Sequence, residues 1–497
     1  MGFISTLCLS GCHTPLYYYP KYNFAGRAIP PSGLLQRVLA TYTSNGSSGG
    51  SEILDGLRDL RFNVQNTIPT FTISGYSGGY PSTIYNFPEQ QAGYILDSNS
   101  GTVQGINYAK ENTTADNPSF GPNTPSVGVS PDGSRFVGAT TTNGVGNNNN
   151  QLLVYAGGTT YALNLPNVYR VAINPGNSVI LAMTRNSNSL YRVIQIPQTT
   201  SSTTPFPPGS IDCEPLINPV YCVVPVAGTY DRPDNAYFSL DGNTVYVLNA
   251  GPENGGATAS VSVLQTSALT FNNIPTVNPL AASAPSPLAA LPVANPIPVP
   301  GGVTEALSDG STLYLAGQSL RPDGLFTGNL TVMPLSTYVP GAPVSISDGT
   351  HTRMLFADDN TLFIGSSNCA SGERAKTGQN VNCLTMVQLG GTTPAATVIP
   401  VVTQGSATTV PYPNTNGNPY YYGSLTGLCW VQGYHKIFTA YGGQIHAFYT
   451  GGAITDRSDP AVNTTPAAGT EINNTNITVQ GTVLDVAYMD ALTNSAN

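Results

Sequence analysis

The sequence predicts an all-β fold, a seven-bladed β-propeller with long loop insertions, from its composition and from an internal repeat. Only 9% of the 497 residues are charged, whereas glycine (53) and proline (41) are abundant. This composition favours strands, tight turns and polar loops over helices. An isolated blade leaves both faces exposed, so the blades must stack on one another in a ring. The number of repeat copies then gives the number of blades.

The repeat consists of a short apolar strand, a turn rich in Asp, Gly or Asn, and a second apolar strand. Asp-Gly and Asn at the turn tolerate the positive φ that a tight hairpin requires. Six copies begin at Ser126, Arg170, Asn235, Thr304, Arg353 and Leu428, and a seventh copy, degenerate in its first strand, ends in the segment that starts at Gln90. Two stacked β-sandwiches are the alternative architecture, but they explain the regular copies poorly.

The carboxylates in the repeat turns are predicted to be structural first, because Asp at a hairpin tip tolerates the positive φ that the turn requires. They are Asp132, Asp241, Asp309 and Asp359. We therefore expect neither calcium ligands nor catalytic acids among them.

Two segments resemble known families. Ser239-Leu-Asp-Gly242, followed by Tyr246-Val-Leu-Asn-Ala-Gly251, resembles the repeat of the YVTN family of seven-bladed propellers, which is similar to the lactonase propellers. The resemblance covers roughly residues 80 to 450. It implies the fold but no particular activity, because this architecture hosts many functions.

The N-terminus resembles that of a bacterial lipoprotein. Leu9-Ser10-Gly11-Cys12 is similar to the lipobox, which in that family is cut before the cysteine that then carries lipid. No basic residue precedes the apolar run, which departs from the family pattern, and a frayed apolar N-terminus is the alternative. The predicted organisation is a signal over 1–12, a tether over 13–60 with a short helix around Leu34 to Leu39, and the propeller over 61–491. Val483 to Tyr488 is predicted to close the ring by pairing with the first blade.

The seven cysteines suggest an oxidising compartment. Cys213 with Cys222, and Cys369 with Cys383, enclose short polar loops and are expected to form local disulfides. A zinc site is the alternative, but C-x-x-C spacings are absent. Cys429 is expected to be a buried free thiol. The expected location is the cell exterior or the outer-membrane surface, with the periplasm as a further option.

Charge and motifs exclude several classes of function. The net charge is −9, and the 17 basic residues are scattered, so nucleic acid is not an expected partner. No apolar stretch is long enough for a spanning helix, so a membrane would be contacted only through the lipid anchor. Cofactor fingerprints and metal-binding motifs are absent, and we expect no cofactor and no metal. The expected partner is a protein or carbohydrate at the cell surface, including a second copy of the chain.

Aligning the repeat copies yields one candidate site. In a propeller the innermost strand begins near the mouth of the central channel, where ligands usually bind. The residues at or beside that position are Arg170, Asp234, Asn235, Glu305, His351 and Arg353. They predict a polar funnel for an anionic or carbohydrate ligand. The alternative is that polar residues are simply tolerated at a wet channel mouth.

Three functions remain open from the sequence. The favoured one is a non-enzymatic surface propeller that acts as a binding module or scaffold, since catalytic motifs are lacking. The first alternative is a lactonase-like hydrolase in which Glu305, His351 and Arg353 polarise and hydrolyse a lactone. The second is a self-assembling surface or filament subunit, because low charge weakens repulsion between copies.

Overall fold

A computed structural model of the chain describes residues 28–56, 71–122, 124–140, 151–197, 207–274, 296–391, 393–401, 421–455, 463–472, 479 and 481–494. Eight antiparallel sheets follow one another in a ring, each packed against the next, so the fold is a β-propeller. Seven sheets are contiguous in sequence and are called blades 1 to 7. The eighth combines both ends of the chain and is called the closing blade.

The strands are given in chain order, and within a blade the innermost strand comes first unless stated. The two N-terminal strands, which belong to the closing blade, are β1 (Arg37–Thr43) and β2 (Gly49–Asp55). Blade 1 consists of β3 (Pro81–Phe87), β4 (Ala92–Asp97), β5 (Thr102–Asn107) and β6 (Asn112–Thr113). Blade 2 consists of β7 (Ser126–Val129), β8 (Arg135–Thr140), β9 (Gln151–Ala156) and β10 (Thr159–Asn164). Blade 3 has five strands, with the fourth in sequence at its outer edge: β11 (Val168–Ile173), β12 (Ile180–Thr184), β13 (Leu190–Gln195), β14 (Asp212–Glu214) and β15 (Tyr221–Val226).

The second half of the ring follows the same plan. Blade 4 consists of β16 (Pro233–Phe238), β17 (Thr244–Asn249), β18 (Ser260–Gln265) and β19 (Ile297–Pro298). Blade 5 consists of β20 (Glu305–Ser308), β21 (Thr312–Leu320), β22 (Phe326–Pro334) and β23 (Val344–Ser345). Blade 6 consists of β24 (Thr350–Ala357), β25 (Thr361–Ser367), β26 (Leu384–Gln388) and β27 (Ala395–Ile399). Blade 7 has three strands, β28 (Leu425–Val431), β29 (Lys436–Tyr441) and β30 (Gln444–Tyr449), and a separate ribbon follows, β31 (Ile454–Thr455) with β32 (Asn463–Thr464).

The closing blade makes the number of blades eight, so the predicted seven is wrong. Its innermost strand is β33 (Thr482–Tyr488), which pairs antiparallel with β1, and β2 lies outside β1. The closure by Val483 to Tyr488 is therefore confirmed, but its partner is a blade that the repeat does not reveal. The hairpin of this blade is split between the two ends of the chain, and no contiguous copy of the repeat marks it.

The short helix expected around Leu34 to Leu39 is absent, and this prediction is wrong, because β1 occupies Arg37–Thr43. Arg37, Val38 and Leu39 are fully buried between strands, and that burial overrides the local helical pattern. The described helices are four 3₁₀ turns and one short α-helix: Pro88–Gln90, Gly251–Asn254, Thr266–Ala268, Cys369–Ser371 and Glu373–Lys376. Within the described ranges, none of them is long and apolar enough to cross a membrane.

The hydrophobic core lies between neighbouring blades, where the central residues of the second strands are buried. Between blades 3 and 4, for example, Leu181 and Met183 pack with Val245 and Val247, and all four are fully buried. Burial of each such side chain stabilises the fold by roughly 1.5–3 kcal/mol. The ring is thus held by a series of similar interfaces.

A buried ionic cluster ties the closing blade to blade 1. The Arg37 guanidinium contacts Glu111 at 2.9 Å and Asp490 at 2.7 Å, and all three side chains are at most 3% exposed. It also donates to the Tyr108 carbonyl at 2.6 Å, while Ser32 donates to Glu111 through its amide and its hydroxyl. We call Arg37, Glu111 and Asp490 the clasp, since it joins the N-terminal strand, blade 1 and the C-terminal end.

Both predicted disulfides are confirmed, as Cys213–Cys222 and Cys369–Cys383. The first joins β14 to β15 at the outer edge of blade 3, and the second fastens the loop between β25 and β26. Cys429 is a buried free thiol, as expected, and burial strongly raises its pKa. Cys12 and the proposed signal lie outside the described residues.

Two of the turn carboxylates, Asp132 and Asp241, have the structural contacts that the sequence predicts. Asp132 accepts hydrogen bonds from the Ser130 hydroxyl at 2.6 Å and from the Ser134 amide at 3.1 Å. Asp241 makes the same pair of contacts with Ser239 and Asn243. These bonds hold the pKa of both carboxyls below the ordinary value.

Candidate functional site

The innermost strands share a distortion at the point where a ligand site was predicted. In six of the eight blades a register shift occurs near the start of the innermost strand, as between Val168 and Arg170 or between His351 and Arg353. A β-bulge bends a strand and turns a side chain away from its regular direction. The residues at the equivalent register form what we call the mouth ring: Thr83, Ser126, Arg170, Asn235, Glu305, Arg353, Gly427 and Asp485.

Several side chains of the mouth ring reach from their own blade to a following one. Arg170 of blade 3 contacts Asp234 of blade 4, with Nη1 3.0 Å from Oδ2. Asn235 of blade 4 donates through Nδ2 to Glu305 Oε2 of blade 5 at 3.2 Å. The structure therefore brings Arg170, Asp234, Asn235 and Glu305 together as one connected group.

Glu305 has the electrostatic environment of a functional carboxyl. Burial raises its pKa to about 7, and the positive charges of Arg170 and Arg353 offset only part of that shift. The nearby Asp234 raises the pKa further. A carboxyl with a pKa near 7 populates both its protonated and its deprotonated form at physiological pH. Such groups are concentrated at functional sites.

Arg353 connects blade 6 to the closing blade across blade 7. Its Nε donates to the Thr426 carbonyl at 3.2 Å, and Nη2 lies 3.4 Å from Asp485 Oδ2. Gly427 makes this span possible, because a Cβ at that position would collide with the Asp485 carboxylate. Asp485 also accepts from the Ile84 amide at 2.8 Å, so this carboxylate fastens both the arginine and blade 1.

His351 does not share the site that the sequence assigned to it. It is 1% exposed, and its Nε2 contacts the Ser347 carbonyl at 2.9 Å, which makes Nε2 the protonated nitrogen. Burial lowers its pKa to about 4. Among the described residues, no hydrogen bond joins its ring to Glu305 or Arg353. His351 is thus a neutral core side chain, on the opposite side of the bulge from Arg353.

A second carboxyl at the mouth has a similar pKa but a different role. Glu253 accepts from the Gln318 amide at 3.1 Å and from Gln318 Nε2 at 2.9 Å. Gln318 in turn accepts from the Gly349 amide at 2.9 Å, so this chain links blades 4, 5 and 6. Burial raises the pKa of Glu253 to about 7. Since both of its oxygens are engaged by Gln318, Glu253 is a structural group and a natural control for Glu305.

A cavity of about 750 Å³ opens at the same end of the channel, over blade 7, blade 6 and the start of β33. Thr426 and Leu484 line it and directly precede two mouth-ring residues, Gly427 and Asp485. Its walls carry amide and hydroxyl groups from Tyr80, Asn368, Ser424 and Gln444. The fifteen lining residues include no Asp, Glu, Lys, Arg or His.

Metal ligation was not expected from the sequence. Across the residues that the structure describes, no group of three or more His, Cys, Asp or Glu side chains is positioned to hold an ion. The described part of the mouth therefore offers guanidinium, carboxyl, amide and hydroxyl groups for contact with a ligand.

Sequence reasoning missed Asp485 and the whole cavity. Asp485 could have been found, because assigning Val483 to Tyr488 as an innermost strand puts it at the register of Arg353. The cavity could not, since its walls come from strand ends and glycine turns of several blades and carry no motif.

The comparisons with known proteins concern the fold alone. No protein-family model matches the chain, and no curated protein matches it. Among solved structures, hydrazine synthase of Kuenenia stuttgartiensis is 13% identical with a TM-score of 0.43, over 74% of this chain and 95% of that one. The periplasmic gluconolactonase of Pseudomonas aeruginosa is 11% identical with a TM-score of 0.40, over 91% and 98%. A putative 6-phosphogluconolactonase of Bacteroides uniformis is 12% identical with a TM-score of 0.40, over 73% and 94%.

Proposed function

We propose that the protein is a lactonase-like hydrolase that works at the channel mouth, with Glu305 as its general base. The proposal rests on the position of the Glu305 carboxyl, which accepts a hydrogen bond from Asn235 at 3.2 Å and whose pKa burial raises to about 7 although Arg170 and Arg353 lower it. A base is most effective when its pKa lies near the working pH, because it is then deprotonated yet still basic.

The proposed reaction opens a lactone with one water molecule. The Glu305 carboxylate accepts a proton from water, and the resulting hydroxide adds to the lactone carbonyl carbon. Arg353 and Arg170 are the cations available to stabilise the oxyanion of the tetrahedral intermediate. Collapse breaks the ring C–O bond, and the protonated Glu305 returns its proton to the leaving alkoxide. The products are a carboxylate and a hydroxyl on one chain, together with the proton released at neutral pH.

A non-enzymatic binding module is the second candidate function. It is favoured by the neutral lining of the mouth cavity, since a cavity without ionisable acids or bases can bind a ligand without any proton transfer. Protein partners, self-assembly and the lipid anchor stay predictions from the sequence. A location outside the cytoplasm is part of the proposal, and the two disulfides support it, because such bonds persist in oxidising compartments.

The first test is lactone hydrolysis, followed as acid release with a panel of γ- and δ-lactones. We expect Glu305→Gln to lower kcat/KM by roughly 10²–10⁴-fold, the usual contribution of a general base. Glu253→Gln is the matched control, because it removes a carboxyl whose pKa burial also raises to about 7 and whose hydrogen bonds, among the described residues, come from Gln318. It should leave kcat/KM nearly unchanged. Absence of turnover in the native protein, or equal losses in both variants, would favour the binding module.

The second test is the pH dependence of the same reaction. Only deprotonated Glu305 accepts a proton, so kcat/KM should rise with pH and level off above about 7. Arg353→Lys should move this inflection little, since it keeps the positive charge, whereas Arg353→Met should shift it to higher pH. A profile that is flat between pH 5 and 8 would contradict Glu305 as the base.

A further inference from the structure

We infer that the mouth cavity is a binding site for an uncharged saccharide, separate from the charged groups that would carry out hydrolysis. The inference does not rest on the proposed reaction. It rests on the chemistry of the walls, on the hydrogen-bonding groups left free there, and on the rigidity of the segments that hold them.

The walls discriminate against charged ligands. An anion would find no cation among the lining residues, and a cation would find no carboxylate. Removing either from water without a partner is costly. The ionic groups that adjoin the cavity at Thr426 and Leu484, namely Arg353 and Asp485, are paired with one another at 3.4 Å. The preferred occupant is therefore polar and uncharged.

Free hydrogen-bonding groups in the cavity match hydroxyl-rich ligands. Asn368 and Gln444 each present a primary amide, and within the described part of the chain neither amide side chain bonds to another residue. An amide offers donors and an acceptor side by side, the arrangement that adjacent sugar hydroxyls require. Tyr80 adds a half-buried aromatic ring, whose face suits the C–H surface of a sugar and whose hydroxyl adds a polar contact.

The groups are held in place by the fold. Asn368 directly precedes the disulfide-bonded Cys369, and its backbone amide donates to the Ser424 hydroxyl at 3.2 Å. The Tyr80 carbonyl accepts from the Ser98 amide at 3.0 Å. A ligand entering a site of this kind loses little of its binding energy to ordering the protein.

Glycines keep the floor of the cavity open. Gly442 and Gly443 form the turn between β29 and β30 with φ of +60° and +79°, which an L side chain rarely adopts. A Cβ at 443 would lie 2.8 Å from Thr482 Cγ2, and one at 442 would collide with the Tyr422 carbonyl. The turn therefore has to be glycine, and its bare backbone lies against the cavity.

The test is direct binding of four uncharged disaccharides, maltose, cellobiose, lactose and N,N′-diacetylchitobiose, at millimolar concentration by ligand-observed NMR and calorimetry. At least one should bind, and Asn368→Ala and Gln444→Ala should each weaken it roughly tenfold, the cost of about one lost hydrogen bond. Ala370→Trp, which fills the cavity from an exposed wall position, should abolish binding. Asn272→Ala is the control, since it removes an exposed amide outside the cavity.

Two further arms separate the possible outcomes. Retention on insoluble cellulose or chitin would identify a polymer chain as the source of the saccharide, and binding of the free disaccharide alone would identify a soluble one. Glu305→Gln should bind as the native protein does, so loss of hydrolysis and loss of saccharide binding are independent results. The inference is overturned if none of the four disaccharides binds, if Ala370→Trp binds normally, or if glucuronic acid binds better than every neutral sugar.

Discussion

At the scale of single residues, Glu305 couples the chemistry of the mouth to the stability of the fold. Its pKa is about 7 in the folded protein and ordinarily 4.5, so between these values the folded state binds more protons than the unfolded state. The free energy of unfolding must therefore fall as pH rises through this range. A site that holds a carboxyl in this way is stabilised by protonation and activated by deprotonation.

The predicted fall in unfolding free energy can be measured by urea denaturation of the native protein and of Glu305→Gln at pH 5 and pH 8. The native protein should lose more stability than the variant on going from pH 5 to pH 8, because the glutamine carries no charge to bury at either pH. Other carboxyls titrate in both proteins and cancel in the difference. A variant that loses as much stability as the native protein would show that Glu305 has an ordinary pKa.

The contact between Arg353 and Asp485 depends on the absence of a side chain at Gly427. The guanidinium reaches Asp485 only because residue 427 has no Cβ. Gly427→Ala should therefore separate Arg353 from Asp485 and lower lactone kcat/KM. Because its Cβ would also lie 2.6 Å from the Val486 amide nitrogen, the variant should displace β33 and lower the denaturation midpoint as well. Asp485→Asn, which keeps the shape but removes the charge, should reproduce the loss, and a normal rate in both variants would show that Arg353 needs no support from this carboxylate.

At the scale of elements, the bulged innermost strands explain which parts of the site sequence reasoning could locate. The repeat correctly aligned Arg170, Asn235, Glu305 and Arg353, because each stands at or directly beside the start of a repeat copy. It misplaced His351, because a register shift separates this residue from Arg353. The His351 side chain is consequently buried in the core and does not face the mouth. Bulges depend on how a strand packs against its neighbours, and no local sequence signal records them here.

The disulfide-clipped hairpin of β14 and β15 is a separate element whose stability can be isolated. In the chain-entropy model, closing the short loop between Cys213 and Cys222 stabilises the folded state by about 3 kcal/mol. Replacing both cysteines by serine should lower the unfolding free energy by at most that amount and leave the mouth sites unaffected. Thermal unfolding of the two proteins under oxidising conditions measures the difference, and an unchanged midpoint would mean that the edge of blade 3 unfolds independently of the ring.

At the scale of the whole molecule, the sequence predicted the architecture but not the number of blades. Seven contiguous repeats marked blades 1 to 7, and the apolar alternation of Val483 to Tyr488 marked the closing strand. The sequence predicts a tether with a short helix where β1 and β2 lie, because Leu34 to Leu39 is equally apolar in either conformation. This segment becomes a strand because it pairs with β33, which lies near the other end of the chain. A contact between residues so far apart in sequence leaves no local signal.

The clasp should make ring closure sensitive to a single residue. Arg37→Met would leave Glu111 and Asp490 buried without their cation, and breaking a buried pair in this way typically costs about 3–5 kcal/mol. Lys376→Met is the control, because the Lys376–Asp323 pair, at 2.5 Å, has side chains 54% and 33% exposed and should not change the denaturation midpoint. Equal behaviour of the two variants would remove the clasp as a determinant of closure.

The pairing of β1 with β33 also has a consequence for biosynthesis. The inner edge of β1 stays without its partner until the last strand has left the ribosome, roughly 20–90 s later at 5–20 residues per second. During that interval the nascent chain presents an open strand edge, which is a template for mispairing. Products of premature termination should therefore be aggregation-prone even when seven complete blades have been made, and a chaperone or an export pathway that delays folding until release would suit this topology.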